Sequence, residues 1–229
     1  MRNQDAPENN LGPEPLLVWD LPTRLFHWLL VVLVVVSYVT GKTGGLAMQY
    51  HMWSGYSILT LLIFRFAWGF IGGRHARFSS FVRGPAAVWR YLRTFLRAGH
   101  TPQPGHNPLG GWSVLAMLFC LMLQAGTGMF ADDQIFTRGP LNPWVSYETA
   151  SWLTLIHLLN QRLLLFLIII HMGAVLFHLL VKRDNLITPM ITGYKRFSGA
   201  IETPAEKSST AAAIITAILS AAAVFFLVR

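Results

Sequence analysis

Five stretches of this chain stay apolar for about 20 residues at a time, and nothing else in it constrains the fold as strongly. A helix rises about 1.5 Å per residue, so a block of that length matches a hydrocarbon core about 30 Å thick. In lipid every backbone polar group must be satisfied within the structure, which leaves helices and closed barrels. These runs are continuous rather than alternating, and read as helices. Spans are expected at Leu21 to Thr40, Tyr50 to Ile71, Gly111 to Phe130, Ser151 to Val181 and Thr210 to Val228. Asp20 is placed to cap the first, with Pro22 in its first turn. Gly41 to Gly45 closes that helix, and Gly72-Gly73 ends the second. The fifth is alanine-rich and only moderately hydrophobic. Met1 to Pro15 is polar, with no cleavable hydrophobic stretch before Leu16, so no signal peptide is expected. The expected fold class is an all-α membrane protein.

Charged residues make up only 12% of the chain, and the formal net charge is +8. Such a balance invites a nucleic-acid reading, but its distribution argues against one. Arg2 and Arg24 flank the start of the first span. Arg74, Arg77, Arg83, Arg90, Arg93 and Arg97 lie between the second and third, and Lys182, Arg183, Lys195, Arg196 and Lys207 follow the fourth. The opposite side has Lys42 and Arg138 with the acids Asp132, Asp133 and Glu148, plus Arg229 if the fifth span crosses. By the positive-inside rule the N-terminus is cytoplasmic and the excess charge is topological. Within the second loop, Gly84 to Arg97 has helical periodicity, with Arg90, Arg93 and Arg97 on one face, as suits a helix lying on the membrane surface. The single cysteine, Cys120, sits in an apolar run as a packing residue. No Cys-x-x-Cys metal or redox motif is present, and no Cys-x-x-Cys-His haem attachment motif.

Of the eight histidines, several fall at membrane depth, where ionisable groups are costly and usually functional. His157 and His171 stand nearly four whole turns apart on the fourth span, about 21 Å along the axis, so they leave the helix on about the same face. His27 lies about four turns before Gly41, where the first span ends on the outer side, and His51 opens the second span on that side. The two levels therefore match: His51 with His157 as an outer pair, His27 with His171 as an inner pair. Each pair suits a six-coordinate haem with one imidazole on each face. Gly55, Gly126, Gly128 and Gly173 are small enough to admit a flat macrocycle, or to serve close helix packing. His178 is the rival to His171, but lies near the interface. His75, His100 and His106 read as loop residues with surface or capping roles. Arg65, about four turns after His51, falls at the inner level, where it either neutralises a haem propionate or snorkels to the interface. Asn160, Gln161 and Arg162 interrupt the apolar pattern, as ligands for a propionate or quinone carbonyl or as cross-helix hydrogen-bonders.

Several motifs resemble the bacterial cytochrome b561 family: RLFHW (24–28), HMWSGY (51–56), FRFAWGF (64–70), GHNPLGGW (105–112), DDQIFTRGPLNPWVS (132–146), and HMGAVLFH through DNLITPMITGYK (171–195). The resemblance covers about residues 16 to 197. The related cytochrome b subunits of nickel–iron hydrogenases share the histidine pattern, while the outer-loop segment suits the former group better. It implies a four-helix transmembrane bundle holding two non-covalent b-type haems, ligated by His27, His51, His157 and His171. It also implies electron exchange between quinone and a periplasmic cytochrome c or other redox subunit. The fifth C-terminal transmembrane helix departs from this pattern.

The expected organisation is a cytoplasmic tail (1–15), a dihaem transmembrane domain (16–197) with a cytoplasmic loop at 72–110 and a periplasmic loop at 131–150, a linker (198–209) and the fifth helix (210–229). The expected function is electron transfer across a bacterial cytoplasmic membrane between the quinone pool and a periplasmic partner. The alternative is an enzyme that oxidises superoxide and reduces quinone. Nucleic acid is not an expected partner.

Overall fold

The computed structural model describes residues 15–95, 105–196 and 208–229. Its five long helices are α1 (Leu21–Thr43), α2 (Met48–Ile71), α5 (Pro108–Gly128), α6 (Tyr147–Leu180) and α8 (Thr210–Leu227). Shorter helices α3 (Phe78–Phe81) and α4 (Pro85–Thr94) follow α2, and α7 (Ile187–Thr192) follows α6. All five expected spans are present, each long and apolar enough to cross a bilayer. Side-chain caps move two of the expected starts. Asn107 accepts from Gly110 N at 2.7 Å and opens α5 three residues early, and Ser146 accepts from Thr149 N at 3.2 Å to open α6 four residues early. Of the expected surface helix at Gly84 to Arg97, α4 forms Pro85–Thr94; Leu96, Arg97 and His100 lie outside the described residues.

α2 is the centre of the bundle. It packs along α1, α5 and α8, and α6 packs along α5. The α1–α2 hairpin turns at Gly44 and Gly45, whose φ of 68° and 56° lie in the left-handed region that glycine enters without a Cβ penalty. Outward faces are apolar, as with Val32, Ile169 and Leu219 at 58%, 70% and 65% exposure. An apolar belt of this extent is untenable in water and normal against lipid. α8 lays Ala213, Thr216, Ser220 and Val224 against its neighbours. It starts beside Gly73, and Val224 reaches the cluster of Leu59, Met129 and Leu141, so the helix crosses the bundle.

Two contacts tie the end of the bundle that carries Asp20. Asp20 Oδ1 accepts from Thr23 N at 3.0 Å as the expected cap, while Oδ2 accepts from Trp68 Nε1 at 3.1 Å and Gly73 N at 3.2 Å, locking the start of α1 to the end of α2. A two-stranded ladder also pairs β1 (Pro15–Leu17) antiparallel with β2 (Tyr194–Arg196). Val18 N and Trp19 N donate to Gly193 O, Arg24 Nη1 to Ile191 O at 2.5 Å, and Trp28 Nε1 to Met190 O at 3.1 Å. This clasp, an addition to the otherwise helical fold, holds α1 near α6, two helices that do not pack extensively on each other.

Candidate cofactor site

His51 on α2 and His157 on α6 face one another with ring centroids 6.1 Å apart and planes at 83°. Both rings are oriented by backbone carbonyls. His51 Nδ1 donates to Ser37 O at 2.8 Å, and His157 Nδ1 donates to Gln124 O at 2.9 Å. A carbonyl only accepts, so each Nδ1 carries the proton and each Nε2 keeps its lone pair. Ser37 Oγ and Thr127 Oγ1 lie at 3.3 and 3.4 Å from the same nitrogens. Two helix glycines back the rings. A Cβ at Gly41 would stand 2.8 Å from His51 Nδ1, and one at Gly128 2.9 Å from His157 Cε1. Gly128 was among the expected residues; Gly41, Ser37 and Gln124 were not. Gly55, Gly126 and Gly173 adjoin open space instead, with nothing within 4 Å of a Cβ built there.

These residues fit a haem. Two imidazoles on opposite faces of one iron place their ring centres roughly 6 Å apart, given metal–nitrogen bonds of about 2 Å. The observed spacing, the paired Nδ1 donors and the open space at Gly55 and Gly126 meet that demand. Among the described residues, no group of three or more His, Cys, Asp or Glu stands ready to hold a bare metal ion. A macrocycle that supplies four of its own ligands needs only the facing pair.

At the other level, His27 and His171 are close enough for their charges to interact, and both are half-buried. No ring contact like that of the first pair joins them among the described residues. His27 Nδ1 is buried without a hydrogen-bond partner, and its ring stands edge-on to Trp28 at 5.0 Å. His178 is engaged elsewhere, 3.8 Å from Asp184 Oδ2, while Asp184 takes Lys195 at 2.7 Å through its other oxygen. Arg65 is 3% exposed, so it does not snorkel out. Its Nη2 donates to Ala76 O at 3.1 Å, its guanidinium lies 5.0 Å over the Phe78 ring, and Nη1 is buried without a partner.

One sequence reading changes, and one is decided among its alternatives. His106 is not a surface residue: its ring packs 4.7 Å from both Trp19 and Phe81, and its Nδ1 is buried and unpartnered. Asn160 serves the helix-bridging role among its alternatives, donating from α6 to Cys120 O at 2.9 Å and Gln124 Oε1 at 2.7 Å. It thereby steadies the residue whose carbonyl orients His157. Cys120 is a buried free thiol, as its apolar setting implied.

The five apolar helices define a multi-pass membrane protein, and the facing histidines within it fit a haem. A family model described as prokaryotic cytochrome b561 matches residues 18–193, and the chain belongs to that family. It is 28% identical to a probable Ni/Fe-hydrogenase B-type cytochrome subunit of Azotobacter vinelandii, over 84% of this chain and 93% of the relative. Against its counterpart in Azotobacter chroococcum mcd 1 the identity is 29% over the same shares, and against the hydrogenase 1 subunit of Escherichia coli (strain K12) it is 24% over 78% and 89%. No solved structure matches the chain significantly.

Proposed function

We propose that this chain is a dihaem b-type cytochrome that carries electrons across a bacterial cytoplasmic membrane, between the quinone pool and a periplasmic carrier or a redox partner subunit. Bound haem would supply reversible one-electron chemistry at two depths. The observation that carries the reading is the His51–His157 pair, with its spacing and its two Nδ1 donors committed to carbonyls. His27 and His171 take the same role at the inner level, and the engagement of His178 with Asp184 favours His171 as the ligand there. The polypeptide orients the imidazoles, keeps water out with its apolar helices, and sets the separation of the two levels through the rise of α6. A partner subunit is supported by the relatives, whose names describe them as hydrogenase cytochrome subunits. The superoxide-oxidising alternative requires a basic outer approach. It is weakened because Arg138 on that face is paired with Asp132 at 3.0 Å.

The test is haem stoichiometry in the purified protein. A reduced-minus-oxidised spectrum with pyridine haemochrome quantification is expected to give two low-spin b haems per chain. His157→Ala and His171→Ala are each expected to remove one, and a different one. One haem or none in the unaltered protein would overturn the count.

A further inference from the structure

The inner end of the bundle gathers cationic and hydrogen-bonding side chains, several with a buried atom that has no hydrogen-bond partner among the described residues, and two of these, Arg65 and His106, interact with each other. Arg65 is buried with one guanidinium nitrogen unpartnered, and His106 is packed between Trp19 and Phe81 with Nδ1 unpartnered. His106 shares an electrostatic neighbourhood with both Arg65 and His171. Burial pushes the His106 imidazolium pKa down to about 3, and the charges of Arg65, His171 and His75 act on it in the same direction. His75 is itself next to the loop that carries His106, 3.3 Å from where a Cβ of Gly105 would stand. Asp20 is within electrostatic reach of Arg65. Its oxygens, however, are already taken by Thr23 N, Trp68 Nε1 and Gly73 N. A buried polar group without a partner is costly, a charged one more so, and a guanidinium nitrogen beside an imidazole that donates in its Nδ1–H tautomer suits an anion.

We propose that Arg65 and His106 form a carboxylate site for a propionate of the inner haem, with Arg65 contributing charge from α2 and His106 a neutral N–H from the segment preceding α5. The assignment rests on the dihaem reading and adds to it a residue from outside the membrane spans. Arg65 is held for this work by Ala76 O and the Phe78 ring, and Phe78 in turn touches Phe81, against which His106 packs. The aromatic packing aims the imidazole, and the neutral state suits it to donate one hydrogen bond to a carboxylate without adding a second buried charge near Arg65. A free anion such as phosphate has the same chemistry, and the experiment separates the two sources.

The experiment is redox titration of purified His106→Leu, His106→Asn and unaltered protein in mildly alkaline buffer, with His27→Ala and His171→Ala marking which haem is the inner one. A propionate stripped of a donor presents more of its negative charge to the iron and favours the ferric state. His106→Leu is therefore expected to lower the inner haem's midpoint potential, or to lose that haem alone, with the outer haem unchanged. His106→Asn retains an N–H donor and is expected to restore the inner potential. The propionate bending band in resonance Raman is expected to shift in His106→Leu only. Unchanged potentials in His106→Leu, or an equal shift of both haems, would overturn the assignment while leaving the dihaem reading intact. A potential in the unaltered protein that follows added phosphate at constant ionic strength would assign the site to a free anion and also overturn it. If His27→Ala and His171→Ala remove no haem, it is the dihaem reading that fails.

Discussion

At the scale of single residues, the glycines around the outer pair divide into two kinds, and the division is testable. A methyl group at Gly128 would press on the His157 imidazole, a ring held by its hydrogen bond to Gln124 O and so unable to swing aside freely. Overpacking of this kind costs about 1–3 kcal/mol, a loss of roughly 5- to 150-fold in haem affinity if it falls on the ligated state. Gly128→Ala is expected to deplete the outer haem in the difference spectrum. Gly126→Ala meets nothing in the polypeptide. Loss of haem from that variant with its helicity intact would report the macrocycle itself in the space, and full retention would count against it. On the connecting loop, Asp133 feels a slight burial that pushes its pKa up, outweighed by hydrogen bonds from the Thr137, Ile135 and Phe136 amides that hold it below the usual carboxylate value. A depressed folded-state pKa contributes stability that is present above the unfolded value and lost as pH falls through the folded one. Hydrogen exchange of the Ile135, Phe136 and Thr137 amides is expected to stay protected below the ordinary Asp range, and to quicken at all pH values in Asp133→Ala.

At the scale of elements, the histidine levels were legible because helical rise is constant: the interval from His157 to His171 on α6 becomes a depth without any knowledge of packing. The groups that orient the rings were not. Ser37 and Gln124 act on the imidazoles chiefly through backbone carbonyls, which every residue owns, so no side-chain pattern announces them. The segment from Asp184 to Lys195 was recognisable as a motif, but its part in clasping α1 emerges only once β1 lies against β2. The role of α8 is likewise a matter of contact. Ser220 is 3% exposed on its inner face, where α8 packs along α2. Ser220→Leu is expected to force the pair apart and destabilise the fold by about 1–3 kcal/mol. A thermal melt checks this, and both haem signals should persist because none of the four paired histidines lies on α8. Loss of either haem at low temperature would mean that α8 shapes the cofactor slots directly.

For the whole molecule, the distribution of basic residues sets the topology expected in the membrane, with the N-terminus and the Asp20 end in the cytoplasm. An odd number of crossings then carries the C-terminus to the other side. Alkaline phosphatase fused after Arg229 is expected to be active, and fused after Arg196 inactive; the reverse result would invert the orientation. The same arrangement puts the exposed apolar tip of the 131–146 loop, Ile135 and Phe136, on the outer face.

Hydrophobic block length and histidine depth belong to the chain itself, because a bilayer of fixed thickness and a helix of fixed rise turn residue number into height. Lateral position does not follow from those quantities. Which helices touch, which carbonyl meets which imidazole, and that His106 comes in from a loop to lie near Arg65 all depend on contacts between residues far apart in sequence. Only the packed bundle decides them.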